Sequence, residues 1–173
     1  MRNRSAKQIA LGGILAALAE VVMCLGGLIP VATYVCPVLC CVLGYAVYLF
    51  CGKRIAWAWY GAVAVLSLLI APDREAALIF LAIGNYPNLK PIFERIKMHA
   101  LLKMLYFNVS VIAAYWVMLH LLGMDDIVQD TENLGILGLM LLLVIGNITF
   151  LLLDKVLSNL RIKIATSDRG NNE

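Results

Sequence analysis

The sequence predicts an all-α integral membrane protein, a six-helix transmembrane bundle with a short, broken fourth helix and a cytoplasmic interfacial helix. The chain is 62% hydrophobic over 173 residues, with a mean hydropathy of +0.88, whereas a soluble domain is roughly 45–50% apolar. Six apolar stretches divide it. Thirteen of its fourteen Lys and Arg residues fall in alternate gaps between those stretches, which is typical of the cytoplasmic side of a multi-pass protein.

Five of the six stretches approach the roughly 20 residues that a helix needs to cross a bilayer. The predicted spans are 9–28, 34–50, 55–71, 101–122 and 134–157. Six spans place about 120 residues inside the membrane, which leaves no room for a separate soluble catalytic domain. We therefore expect a single transmembrane domain, residues 1–165, followed by a disordered cytoplasmic tail, residues 166–173.

The fourth stretch is shorter than the others. Asp73 is a favourable N-cap, but Gly84, Asn85 and Pro87 end the helical pattern early. The helix from Asp73 to Asn85 is about 20 Å long, whereas the hydrocarbon core is about 30 Å thick. We expect this helix to thin the bilayer or to be covered by other helices, with its irregular end facing protein or water. The segment after Pro87 has apolar residues at helical spacing and predicts an amphipathic helix along the cytoplasmic surface.

The charges predict the orientation of the bundle. The presumed inner side holds every Lys and Arg except Arg74, so both termini are predicted to be cytoplasmic. The outer side holds six carboxylates, four of them in an acidic link at 123–133. Such a surface repels anions over about a Debye length, which favours a neutral or cationic ligand over a polyanionic one.

The sequence contains no pattern that favours catalysis, a metal or a cofactor. It has no HExxH helix, no GxSxG turn and no Gly-rich phosphate loop, and only two histidines. Its five cysteines fall in apolar stretches without a His or second Cys pair to complete a metal set. The basic residues flank spans and form no continuous stripe, so nucleic acid is not an expected partner. We expect the protein not to be an enzyme.

Five polar residues are candidates for contact with a substrate: Glu20, Asp73, Asn85, Tyr86 and Asn147. Glu20 lies deep in the first span, where a carboxyl group either contacts a ligand or cation, or is protonated or paired and ties helices together. Asn85 and Tyr86, at the broken end of the fourth helix, either border a cavity or only stop the helix. Asp73 marks the outer mouth or a solvated turn. Asn147 either contacts substrate or hydrogen-bonds another helix.

Small residues form a row at the start of the first span. The row consists of Ala6, Ala10, Gly13 and Ala17, spaced four, three and four. Gly12 and Ala16 add a second small pair. Such rows let helix backbones approach closely in lipid. The row therefore predicts either packing inside this bundle or docking against another membrane protein.

Residues 6–22, AKQIALGGILAALAEVV, together with the six short helices, resemble the substrate-binding S components of energy-coupling factor (ECF) transporters. In that family the alanine-rich face of helix one docks on a coupling subunit, and the matching positions here are Ala6, Ala10, Gly13 and Ala17. The resemblance implies capture of a small, vitamin-like molecule from outside. It also implies partnership with a membrane coupling subunit and two cytoplasmic ATPases, which supply the energy, and a location in a prokaryotic plasma membrane.

Two other functions stay open at this point. A small membrane scaffold or assembly protein would have no cargo and no cavity near Glu20 and Asn85. An intramembrane enzyme would need a nucleophile and a base at the same depth. Membership in an uncharacterised sister family of the S components is a further alternative.

Overall fold

The computed structural model describes residues 2–26, 32–96, 98–120 and 125–170, and within those ranges the regular structure is entirely α-helical. The helices are α1 (Arg2–Gly26), α2 (Ala32–Cys51), α3 (Lys53–Ile70), α4 (Arg74–Ile83), α5 (Tyr86–Phe93), α6 (His99–His120) and α7 (Asp125–Gly170). The predicted all-α class is therefore confirmed.

Helix α2 lies at the centre of the bundle and packs against α1, α3, α4, α5 and α7. Its side chains Cys40, Cys41 and Val47 are completely buried. Close approach of α3 depends on Gly44, because a Cβ atom there would lie 2.9 Å from the ring of Trp59. Helix α6 packs against α4 and α7 on the other side of the bundle. The core is thus built around one helix, and α1 and α7 lie at the periphery.

The outside of the bundle is apolar. Large apolar side chains on α1, α3, α6 and α7 are exposed, among them Ile14, Leu69, Ile112 and Leu152. By length and composition, five described helices are able to cross a membrane: Ala6–Gly26, Ala32–Cys51, Lys53–Ile70, His99–Met118 and Leu143–Ile164. Exposed apolar surface on this scale is unfavourable in water and favourable in lipid. The chain therefore has the surface of a multi-pass membrane protein.

Two short connections follow directly from local sequence. Gly52 joins α2 to α3 with φ of 90°, a left-handed conformation that glycine adopts without steric cost. Asp73 caps α4, since its Oδ1 atom accepts a hydrogen bond from the backbone N–H of Ala76 at 3.1 Å. This confirms the predicted N-cap. Each connection lets the next helix turn back against the bundle.

Helices α4 and α5 are separated only by the turn residues Gly84 and Asn85. A Cβ atom on Gly84 would lie 2.7 Å from the ring of Phe80, which is itself completely buried. Helix α5 buries Tyr86 and Lys90, while Ile92 is exposed. The segment after the turn therefore directs one face into the bundle, toward α2 and α6.

Helix α7 differs from the sequence-based expectation at both ends. Residues 125–133 of the predicted acidic link form its first turns, whereas residues 123 and 124 lie outside the described ranges. Residues 166–170, expected to be disordered, continue the helical backbone, and 171–173 lie outside the described ranges. At 46 residues α7 is about 69 Å long. It extends well beyond the thickness of a hydrocarbon core.

Contacts between helices join residues that the charge pattern places at the same end of the bundle. At one end, the Gln8 side chain donates to the carbonyl of Phe50 at 3.3 Å. At the other end, Glu75 contacts Tyr34 and Tyr115. We call the first the basic end, which also contains Lys90 and Lys103, and the second the acidic end. The alternating direction of the helices matches the alternating gaps in the sequence.

Candidate functional site

A cluster of charged side chains lies at the basic end, where α5, α6 and α7 meet. We call it the charge cluster, and it consists of Lys90, Glu94, Lys103, Asp154 and Arg161, with Tyr86 and Ser158 attached. The positions 86, 90 and 94 are spaced four apart, and 154, 158 and 161 are spaced four and three. Such spacings place side chains on one face of a helix, so two helix faces and Lys103 of α6 converge.

Asp154 is the centre of the charge cluster. Its Oδ2 atom lies 3.0 Å from the Lys103 ammonium, and its Oδ1 atom lies 3.1 Å from the same group. The Lys90 ammonium forms an ion pair with Oδ1, and the Tyr86 hydroxyl donates to the same oxygen at 2.5 Å. One carboxylate on α7 therefore binds donors from both α5 and α6.

The other members of the cluster complete the pairing. The Lys90 ammonium also lies 2.9 Å from Ser158 Oγ and 3.1 Å from Glu94 Oε1. Arg161 lies 3.1 Å from the other oxygen of Glu94. Three cations thus face two carboxylates, which leaves a formal charge of plus one.

The two lysines of the charge cluster are buried, which makes their pairing necessary. The side chain of Lys90 is 0% exposed and that of Lys103 is 8% exposed. Removing charges from water costs several kcal/mol per ion unless a partner compensates. Because Asp154 pairs with both lysines, it holds three helices in one arrangement.

A cavity of about 400 Å³ opens beside the charge cluster. It lies between α6 and α7, and its lining consists of Glu94, His99, Ala100, Lys103, Phe150, Leu151, Asp154 and Ser158. This volume falls within the range of small-molecule sites, about 300–1,000 Å³. The cavity combines a charged floor with an apolar wall.

At the acidic end, a second carboxylate collects donors from different helices. Glu75 Oε1 of α4 accepts from the hydroxyl of Tyr34 on α2 at 3.1 Å and from that of Tyr115 on α6 at 3.0 Å. Both donors are uncharged. The carboxylate is therefore positioned by three helices without a cation beside it among these contacts.

The structure places the predicted ligand residues at different levels of the bundle. Tyr86 belongs to the charge cluster, and the Asn85 side chain accepts from the hydroxyl of Tyr106. Glu20 of α1 accepts from the Ser67 hydroxyl of α3 at 3.3 Å. Asp73 caps α4, as described above.

Asn147 forms a reciprocal amide pair across α6 and α7. Its side-chain amide donates to Asn108 at 3.1 Å and accepts from it at 3.2 Å. Each amide also donates to the carbonyl four residues earlier in its own helix, at 2.8 Å. Together with the preceding contacts, this gives each of the five predicted ligand residues a partner within the chain, and none of the five lines the cavity described above.

The small-residue row lies on the outer face of α1. Ala6, Ala10, Gly13 and Ala17 are all exposed, and a Cβ atom on Gly13 would have no atom within 4 Å. The neighbouring Gly12 is buried, and a Cβ atom there would lie 3.4 Å from Ile55. The four residues of the row are therefore accessible at the surface of the bundle, whereas Gly12 packs inside it.

The central residues of the charge cluster were not identified from sequence. From the sequence, Lys90 and Lys103 are only two of the basic residues that indicate the cytoplasmic side. Asp154 lies inside the predicted span 134–157. An acidic residue within a span calls for a cationic partner, and that signal was available. No group of three or more His, Cys, Asp or Glu residues is placed to hold a metal ion in the part of the chain that the structure describes.

Comparison of the chain with family models, curated proteins and solved structures finds no match in any of the three.

Proposed function

We propose that this chain is a membrane-embedded subunit that docks on another membrane protein through the outer face of α1, in the manner of an ECF-type S component. The observation that carries the proposal is the exposure of Ala6, Ala10, Gly13 and Ala17. In lipid, small residues on one helix let the backbone of a partner helix approach closely. An exposed row of them matches the position at which the resembling family binds its coupling subunit.

The orientation that we propose has six crossings and both termini in the cytoplasm of a prokaryotic cell. Helices α4 and α5 together extend over residues 74–93, which is about 30 Å of helix. We take them as one broken fourth crossing, with the charge cluster toward the cytoplasm. This arrangement is supported by the grouping of basic residues at one end of the bundle and acidic residues at the other.

Cargo would reach the protein from the acidic end. There Asp73 and Glu75 lie at the start of α4, and Glu75 contacts only neutral donors among the bonds described above. This favours a neutral or cationic, vitamin-like molecule over an anion. Transport would draw its energy from a coupling subunit and two ATPases that bind in the cytoplasm.

The test is copurification from cells that express the full chain with its membrane neighbours. We expect Ala10→Leu and Gly13→Leu to abolish recovery of a membrane partner, because a bulky side chain separates the two backbones. Ala113→Leu is the matched control, since Ala113 is also an exposed alanine, on α6. Unchanged partner recovery with both α1 variants would refute the docking proposal.

A scaffold without cargo is the second candidate. It is favoured by the internal partners of Glu20, Asn85 and Asn147, which leave these side chains engaged without a ligand. Native mass spectrometry of the purified protein separates the two functions. A retained small metabolite supports the S component, and its consistent absence supports the scaffold.

A further inference from the structure

We propose that the helix which docks on the outer face of α1 carries a lysine or arginine that pairs with the Glu20 carboxyl group. The inference rests on the proposed docking through α1 and adds the chemistry of the partner. Glu20 follows Ala17 by three residues, so it continues the row Ala6, Ala10, Gly13 and Ala17 on the same side of the helix. The docking face therefore includes one ionisable group.

Glu20 lies at membrane depth. It belongs to the candidate span Ala6–Gly26 and is about 9 Å along the helix from the end of that span. Ionisable side chains at such depth usually face the bundle interior and pair with another polar group. Glu20 is instead only partly buried, and its neighbour Val21 is 58% exposed. The carboxyl group thus lies at the border between the bundle and whatever covers α1.

Within the chain, Glu20 has one neutral donor. The hydroxyl of Ser67, a completely buried residue of α3, lies 3.3 Å from each carboxyl oxygen. A hydroxyl donates a single hydrogen, whereas an ionised carboxyl group accepts about four. No lysine, arginine or histidine in the described ranges forms an ion pair with Glu20. Acceptor capacity therefore remains for a donor from outside the chain.

Charge complementarity selects a basic partner over a second copy of this chain. Two copies insert in the same orientation, so a symmetric contact through α1 brings the two Glu20 groups to the same depth, where like charges repel. A lysine or arginine compensates the carboxyl group in lipid. Gly13 leaves space beside α1 for the long stem of such a side chain, because a Cβ atom there would have no atom within 4 Å.

The experiment measures helix association in phosphatidylcholine vesicles, by fluorescence energy transfer between the labelled full chain and a labelled synthetic transmembrane peptide. The peptide consists of leucine with one row of alanine and a central lysine, whose flexible stem reaches Glu20 in either peptide orientation. A control peptide has glutamine at the central position. We expect the wild type to bind the lysine peptide about tenfold more tightly, the size of effect that a polar contact between helices has in model peptides.

Two variants separate the charge from the contact with α3. Glu20→Gln keeps the shape of the side chain and should bind the two peptides equally. Ser67→Ala removes the hydroxyl but keeps the carboxyl group, so the preference for lysine should persist. An equal loss of preference in Ser67→Ala would mean that Glu20 acts only by joining α1 to α3, and the proposal would be overturned.

Gly13→Leu distinguishes failure of this inference from failure of docking. It should weaken the association of both peptides, because it separates the backbones. If the wild type binds both peptides equally and Gly13→Leu binds neither, the cationic partner is ruled out and docking through α1 stands. If the wild type binds neither peptide, the inference is also overturned, and the copurification described above decides docking by itself. Peptide binding that Gly13→Leu does not weaken would contradict both.

Discussion

The two ends of the bundle each contain a carboxylate that joins three helices, and they differ in what surrounds it. Asp154 at the basic end binds two buried ammonium groups and one tyrosine hydroxyl. Glu75 at the acidic end binds two tyrosine hydroxyls. Asp154 is thus part of a compensated ionic network, whereas the donors to Glu75 are neutral hydroxyl groups.

This difference indicates two separate roles. Buried ions that compensate one another hold helices together, and losing one member leaves the others without a partner. A carboxylate held by hydroxyl groups is positioned at a lower cost and still attracts a cation. We therefore interpret the charge cluster as the part that fixes α5, α6 and α7, and the acidic end as the part that is able to attract a cation.

The largest expected effect is at Asp154. Asp154→Ala should lower the free energy of unfolding by about 3–5 kcal/mol, because it leaves Lys90 and Lys103 buried without their main partner. Reversible unfolding in mixed detergent micelles measures this change. A loss below about 1 kcal/mol, as found for exposed pairs, would contradict the description of the cluster as buried.

A double variant sharpens the same measurement. Replacing Lys90 with Met and Asp154 with Leu together should be less destabilising than Asp154→Ala alone, because an apolar pair leaves one fewer buried charge without a partner. Should the double variant be as unstable as the sum of its single changes, the two side chains would not act as a pair.

A smaller effect is expected at the acidic end. Tyr115→Phe removes one hydroxyl donor from Glu75 and should cost about 1.5–3 kcal/mol, the range for a hydrogen bond to a charged group. The same unfolding assay applies, and Tyr34→Phe tests the other donor to Glu75 in the same way. A cost as large as that of Asp154→Ala would remove the distinction between the two ends.

The smallest effect is expected at the amide pair between the two ends. Asn147→Ala should cost about 0.6 kcal/mol, the average for hydrogen bonds between membrane helices. Asn108→Ala should cost a similar amount, and the double variant little more than either. Fully additive losses would mean that the two amides do not stabilise each other.

Much of the fold was predictable because it depends on local properties. The apolar stretches, the N-cap at Asp73 and the end of the helical pattern before Asn85 are properties of neighbouring residues. The start of α7 was not predicted, because acidic residues at 125–133 are as compatible with a helix as with a link. The apolar residues at helical spacing after Pro87, such as Leu89 and Ile92, predict a helix, but they do not predict the contacts that bury Lys90.

The site was less predictable than the fold. The contacts of the charge cluster with α7 join residues 51 to 68 positions apart, such as Lys103 with Asp154 and Lys90 with Ser158. No spacing rule connects such positions. The α1 face shows the same limit, because Gly12 and Gly13 are adjacent and chemically identical, yet one is buried against Ile55 and the other is exposed.

By itself, the sequence determined that this is a helical chain with apolar stretches long enough to cross a membrane and with its bases in alternate gaps. Transfer of each residue into lipid depends on its own side chain and its neighbours, so hydropathy and charge can be read along the chain. Only the tertiary structure decided which charges are buried, which of them pair, and which small residues remain on the surface. Those properties depend on distances between helices that are far apart in sequence.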